Sequence, residues 1–238
     1  MTSSNRIRIN RRRVLETLGA FTLASFAGRS LSVGPPIPGA NGPGSSWALS
    51  CVATPSATEG PYFVDEALHR SDLTSGTTEP TVVNGLPLTL RIEVYRVTRG
   101  GCSVLDDAQV DVWHANSAGV YSDVRPQRTV GEKYLRGYRL TDSGGEAIFT
   151  TIYPGWYSGR APHIHFKVRK DDFEFTSQWY FDDAVTDGVY SASPYDARSG
   201  RRTRNANDWI YRSSLLLALE RDSAKAGYVG TFSIGLKF

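Results

Sequence analysis

The amino-acid sequence predicts a mainly β protein, an antiparallel-dominated β-sandwich. Three observations carry that prediction. A long run from Leu86 alternates with period two, with Leu88, Leu90, Ile92 and Val94 on one face and Thr89, Arg91, Glu93 and Tyr95 on the other. Further short runs carry the same signals. Gly-rich turns such as Arg99-Gly100-Gly101 and Asp142-Ser143-Gly144-Gly145 separate them. Many short strands between such turns are the pattern of two packed sheets.

Taken in order, the chain begins with an appendage. Asn10-Arg11-Arg12-Arg13-Val14-Leu15 carries a twin arginine, and residues 18–27 behind it are apolar and rich in small side chains. A basic stretch before an apolar one too short to span a bilayer reads as a twin-arginine export signal over residues 1–27. Residues 28–50, full of Gly, Pro and Ser, read as a flexible spacer, and 51–238 as the folded domain. Ala48-Leu49-Ser50-Cys51 is a poor lipoprotein box, so no stable membrane anchor is expected and the destination is periplasmic or extracellular. After the strand from Leu86, strands are expected over 108–113, 134–140, 147–152, 163–168, 176–181, 215–220 and 229–236. Long irregular stretches at 51–80 and 182–212 are expected to be functional or covering.

The chain has 238 residues, enough for a full core. Its formal net charge of +3 misleads, because residues 1–50 hold six arginines against Glu16 alone. Without them the remainder carries two net negative charges. Nucleic-acid binding loses its electrostatic footprint, and Arg201-Arg202-Thr203-Arg204 reads as a solvated loop. The two cysteines, Cys51 and Cys102, would face an oxidising compartment after export and are expected to pair.

The densest chemistry lies in Tyr153-Pro154-Gly155-Trp156-Tyr157-Ser158-Gly159-Arg160-Ala161-Pro162-His163-Ile164-His165. On a strand, His163 and His165 point one way while Ile164, Phe166 and Val168 point the other. Lys167 and Arg169 continue the histidine face, toward solvent. Two imidazoles on one face make half a metal site, and imidazole suits iron, copper, zinc and nickel alike. Gly119-Val120-Tyr121-Ser122 adds a tyrosine where the chain can reverse toward the histidine strand. A phenol has a pKa near 10, so it serves as a ligand only to an ion of high charge. Ferric iron meets that need, and two phenolates, two imidazoles and one hydroxide would neutralise it.

Thr58-Glu59-Gly60-Pro61-Tyr62, Val110-Asp111-Val112-Trp113-His114-Ala115-Asn116, Gly119-Val120-Tyr121-Ser122, Leu135-Arg136-Gly137 and the Pro154–His165 segment together resemble the intradiol ring-cleavage dioxygenases. The resemblance covers nearly all of 51–238. It implies an Fe(III) site held by Tyr121, Tyr157, His163 and His165, with catechol-type substrate and O2 as partners. It also implies catalytic roles for Arg160, Tyr157 and Gln178. Arg160 and Gln178 would contact the substrate too, and Pro61 and Tyr62 would wall its pocket. His114 and His69 are expected to be structural. The helical segment that builds a dimer interface in cytoplasmic members is lacking, which leaves a monomer and a homo-oligomer both open.

Two other readings compete. One is a non-catalytic exported sandwich that binds aromatics or carbohydrate through Trp156, Trp179, Tyr180 and Trp209. The other is a cupin-like His-x-His site with a divalent metal, but Arg169 stands where its carboxylate should be.

Overall fold

The computed structural model describes residues 51–200 and 202–238, so the expected signal and spacer lie outside the described residues. β1 (Pro87–Thr98) alternates from Leu88 to Val94, where Leu88, Leu90, Ile92 and Val94 are all buried, and loses the alternation at buried Tyr95. It turns back at Arg99-Gly100 into β2 (Gly101–Val104), which pairs with it antiparallel. β5 (Glu146–Ile152) continues along the same edge of β1, from Glu93↔Glu146 to Pro87↔Ile152. On the other edge β9 (Gly227–Leu236) runs parallel to β1, and β8 (Ala218–Asp222) closes the sheet antiparallel to β9.

The second sheet has the order β4 (Arg136–Leu140), β3 (Gln109–Trp113), β6 (His163–Lys170), β7 (Phe173–Tyr180) and is antiparallel throughout. Each sheet buries one face against the other. Leu90, Ile92 and Phe149 meet Val110, Val112, Ile164, Phe166, Val168 and Trp179 in one cluster. Trp179 stacks on Phe166 with ring centroids 4.2 Å apart. Fully burying each such side chain contributes about 1.5–3 kcal/mol. The antiparallel sandwich is therefore observed, with β1–β9 as its parallel pair.

Several expected elements differ in detail; β7 starts at Phe173 rather than at 176, and β2 is not among the expected strands. β4 starts at Arg136 rather than at 134, because Leu135 has φ of +54° and gives its N–H to the Leu73 carbonyl at 2.6 Å. At the expected strand 215–220, Ser213–Leu215 forms a 3-10 turn and β8 begins only at Ala218. α1 (Asp183–Tyr190) interrupts the stretch expected to be irregular; Asp182 caps it by accepting from the Ala184 and Val185 N–H groups. The face of β6 beyond the histidines is not open to solvent either. Lys167 is buried, 2.6 Å from Glu59 and over the Phe63 ring at 4.3 Å, because residues 58–66 cross above it. Among the described residues no helix is long and apolar enough to cross a membrane.

Candidate active site

The site stands on the outer face of the β4-β3-β6-β7 sheet, opposite the core. Strand register aligns Trp113, His165 and Gln178 across β3, β6 and β7, and His163 with Tyr180 one row along. Side chains in such rows share a face and touch. Trp113 stacks on His165 at 5.0 Å, and the two imidazole centroids lie 4.7 Å apart.

The tyrosines come from loops that lock together. A Cβ on Gly119, whose φ is +77°, would collide with the Trp156 carbonyl. One on Gly155 would collide with the carbonyls of Asn116 and Ser117. Only glycines allow the two turns to dock this closely. Tyr121 and Tyr157 are thereby brought edge to face at 5.8 Å, and Tyr62 lies 4.6 Å from Tyr121 and 5.9 Å from Tyr157.

Donor atoms then converge. His163 Nδ1–H donates to the Ala161 carbonyl at 2.6 Å, which leaves a lone pair on Nε2. That nitrogen lies 3.1 Å from the Tyr157 hydroxyl and 3.1 Å from His165 Nε2. The Tyr121 hydroxyl is fully buried with no hydrogen-bond partner. Burial, then Arg160, lowers His163 to about 3; burial, then His163, holds His165 well below the usual imidazole range. Both rings are thus neutral donors. Burial raises both phenols, Tyr121 the more strongly, so each stays protonated until a strong cation arrives. Among the described residues no three His, Cys, Asp or Glu cluster, so the two tyrosines are what complete a four-donor set. A buried phenol without a partner beside two neutral imidazoles fits a hard trivalent ion such as ferric iron.

Arg160 borders this cluster. Its Nη1 lies 3.5 Å from His163 Nε2, and Nη2 donates to Gln178 Oε1 at 2.5 Å and to the Tyr180 hydroxyl at 2.8 Å. Gln178 Nε2 donates to the Thr58 carbonyl at 2.7 Å, so its amide orientation is set. The structure therefore brings together Tyr62, Tyr121, Tyr157, Arg160, His163, His165 and Gln178. Pro61 is exposed in the turn that delivers Tyr62. His114 is structural, bonded to Ala115 O at 2.8 Å and Thr151 Oγ1 at 2.6 Å, and His69 stacks on Tyr138 at 5.0 Å.

Two residues lie at the site without being assigned to it from the sequence, Tyr180 being named only as an aromatic of the competing reading. Tyr180 shares the outward face of β7 with Gln178 and could have been found from that alternation. Asp208 accepts from Arg160 Nε at 2.9 Å, yet it lies 48 residues away with no local pattern to mark it. Of the four aromatics in the competing module reading, Trp179 and Tyr180 are buried, Arg198 covers Trp156 at 4.3 Å, and Trp209 is exposed.

A family model described as Dioxygenase matches residues 58–208, well over half of the chain. A chlorocatechol 1,2-dioxygenase from Cupriavidus pinatubonensis is 31% identical over 189 residues, covering 67% of this chain and 69% of its own. The chain belongs to the intradiol ring-cleavage dioxygenases. A chlorocatechol 1,2-dioxygenase from Pseudomonas putida is 32% identical over 149 residues, and the chain spans about half of that relative, 53%. The solved dioxygenase domain of a carbohydrate-binding fusion protein from Streptomyces sp. SirexAA-E is 29% identical. It superposes with a TM-score of 0.59, over 78% of this chain and 99% of that one. An intradiol ring-cleavage dioxygenase from Tetranychus urticae, 24% identical, shares the fold with a TM-score of 0.70, over 79% of this chain and 95% of its own.

Proposed function

We propose that this chain is an exported, non-haem Fe(III) intradiol dioxygenase. It cleaves a catechol-type diol between its two hydroxylated carbons with O2 and gives a cis,cis-muconate-type diacid. One observation carries the reading: the Tyr157 hydroxyl and His165 Nε2 each lie 3.1 Å from His163 Nε2, with the buried Tyr121 ring edge to face against Tyr157. The relatives' names, which include a protocatechuate 3,4-dioxygenase beta chain from Burkholderia cepacia at 34% identity, support the substrate class.

Tyr121, Tyr157, His163 and His165 would hold the iron. Ferric iron, when bound, supplies the charge that ionises the phenols and both catechol hydroxyls and turns the ring nucleophilic toward O2. The chain's own residues do the rest. Tyr157 is partly exposed at the rim and its hydroxyl oxygen is placed to take a substrate proton, while fully buried Tyr121 stays in place. Arg160 Nη1 faces the cluster and stabilises negative charge developing on the oxygenated ring carbon. Gln178 steadies the guanidinium, and the Tyr62 ring lies over Tyr121 and Tyr157.

Export fits the Cys51–Cys102 disulfide, which belongs to an oxidising compartment. Phenolate-to-iron charge transfer should make the purified protein wine-red. With catechol and labelled O2, mass spectrometry should find a colourless diacid carrying both oxygen atoms. A colourless zinc protein, or a yellow semialdehyde product, would refute the assignment.

A further inference from the structure

Arg160 reaches the site on a side chain that could present any of its three nitrogens. What selects one of them is a buried frame outside the donor cluster. Asp208 is fully buried as a side chain, and its Oδ2 accepts from Arg160 Nε at 2.9 Å and from the Ala161 N–H at 2.9 Å. Its Oδ1 accepts from the Ile210 N–H at 2.9 Å, so the carboxylate itself cannot turn. On the other side, Arg160 Nη2 donates both to Gln178 Oε1 at 2.5 Å and to the Tyr180 hydroxyl at 2.8 Å, and Tyr180 in turn donates to Gln178 Oε1 at 2.9 Å, so Tyr180 fixes the pair. Two guanidinium nitrogens are thus occupied by fixed acceptors. The third, Nη1, is left facing His163 Nε2.

We propose that Asp208 and Tyr180 are positioning residues, which hold the Arg160 guanidinium in the one orientation that aims Nη1 at the bound diol. The inference rests on the proposed dioxygenase function. Stability alone does not account for the arrangement. A buried ion pair costs desolvation that its attraction only about repays, and apolar replacement is often neutral. Orientation does account for it, because a charge misplaced by about 1 Å can cost on the order of 100-fold in rate. Asp208 also ties Arg160 and Ala161 to one atom. Since Ala161 O in turn fixes the His163 tautomer, a single carboxylate sets the guanidinium relative to the imidazole.

The test is a double-mutant cycle on the iron-loaded protein. Asp208→Asn and Tyr180→Phe should each retain the iron content and visible spectrum of the parent. Each should lose roughly 10- to 100-fold in kcat, with KM changed far less. In an Arg160→Ala background neither should cause further loss, because nothing is left to aim. Crystal structures of the two variants should show the guanidinium turned away with the four donor side chains unmoved. Should Asp208→Asn fail to fold, Tyr180→Phe, which keeps the buried ring, decides. Equal losses in both backgrounds, unchanged kcat, or an unmoved guanidinium would overturn the proposal. A wild-type protein without ring-cleaving activity would instead overturn the function, and the crystallographic comparison would still decide the positioning.

Discussion

Two tyrosines of the same chemistry are separated by their surroundings. Tyr121 is fully buried with a partnerless hydroxyl, whereas Tyr157 is partly exposed and bonded to His163. Tyr157→Phe should therefore keep its iron and lose roughly 10²–10⁴-fold in turnover, the span of a lost proton acceptor. Tyr121→Phe should shift the visible band strongly. Wild-type turnover and colour in both variants, read by absorbance and oxygen uptake, would sink the assignment. Away from the donor cluster, Asp111 is a residue whose environment works against it. Burial raises its carboxyl to about 6, although Arg169 and Gln109 pull it down. Between the unfolded value near 3.8 and about 6, the unfolded chain has lost a proton that the folded one keeps. Stability should then fall as pH rises through that window, by about 3 kcal/mol in all, and level off above it. Asp111→Asn should flatten this slope and add about 1–3 kcal/mol above pH 6. Denaturant melts between pH 4 and 7 that show the same slope in both proteins would rule this out.

Elements were legible wherever one side of a strand had a uniform fate. The core takes one face of β1, β6 and β9, so each carries apolar residues at every second position along much of its sequence, and the paired histidines of β6 are visible for the same reason. What could not be read is what lies across from an element. Lys167 follows the histidine face in sequence, but the chain at 58–66 that buries it is about a hundred residues away. The parallel pairing of β1 with β9 leaves no mark on either strand's alternation. α1 hides its helical period behind Val185, Thr186, Gly188 and Val189, all poor helix formers. Asp208 is the clearest case within the site, a single carboxylate in a loop whose meaning comes from Arg160 and Ala161, 48 and 47 residues away. The docking of two glycine turns yields a prediction at this scale. Gly119→Ala puts a side chain at φ of +77° and into the Trp156 carbonyl, so the turns must part. Strain of about 1–2 kcal/mol, plus the clash, should lower the melting temperature. It should also pull Tyr121 from Tyr157, so iron content should drop. Full iron occupancy and an unchanged melting temperature would show that the turns do not depend on each other.

Across the whole molecule, the segment from Cys51 to Tyr62 links the two sheets to the site. Cys51 is bonded to Cys102 of β2, with Cα atoms 5.5 Å apart. Thr54 then exchanges hydrogen bonds with Gly235 of β9. Pro55 and Ala57 pair with Ser177 and Thr176 of β7, and Thr58 meets Gln178. The strap thus starts on one sheet, crosses to the other, and ends where Tyr62 covers the tyrosines. Closing a loop of 51 residues restricts the unfolded chain and is worth about 4 kcal/mol in the entropy model. For a domain of this size that corresponds to roughly 8–16 °C in melting temperature. Because Thr54 and residues 55–58 hold the far end independently, loss of the disulfide should loosen the start of the strap without moving Tyr62. Replacing both cysteines by serine should therefore lower the calorimetric melting temperature by that amount and leave the visible spectrum and room-temperature turnover intact. Two free thiols in the unreduced protein would show that the bond does not form. A loss of colour with the serines in place would show instead that the strap holds the site only through its disulfide.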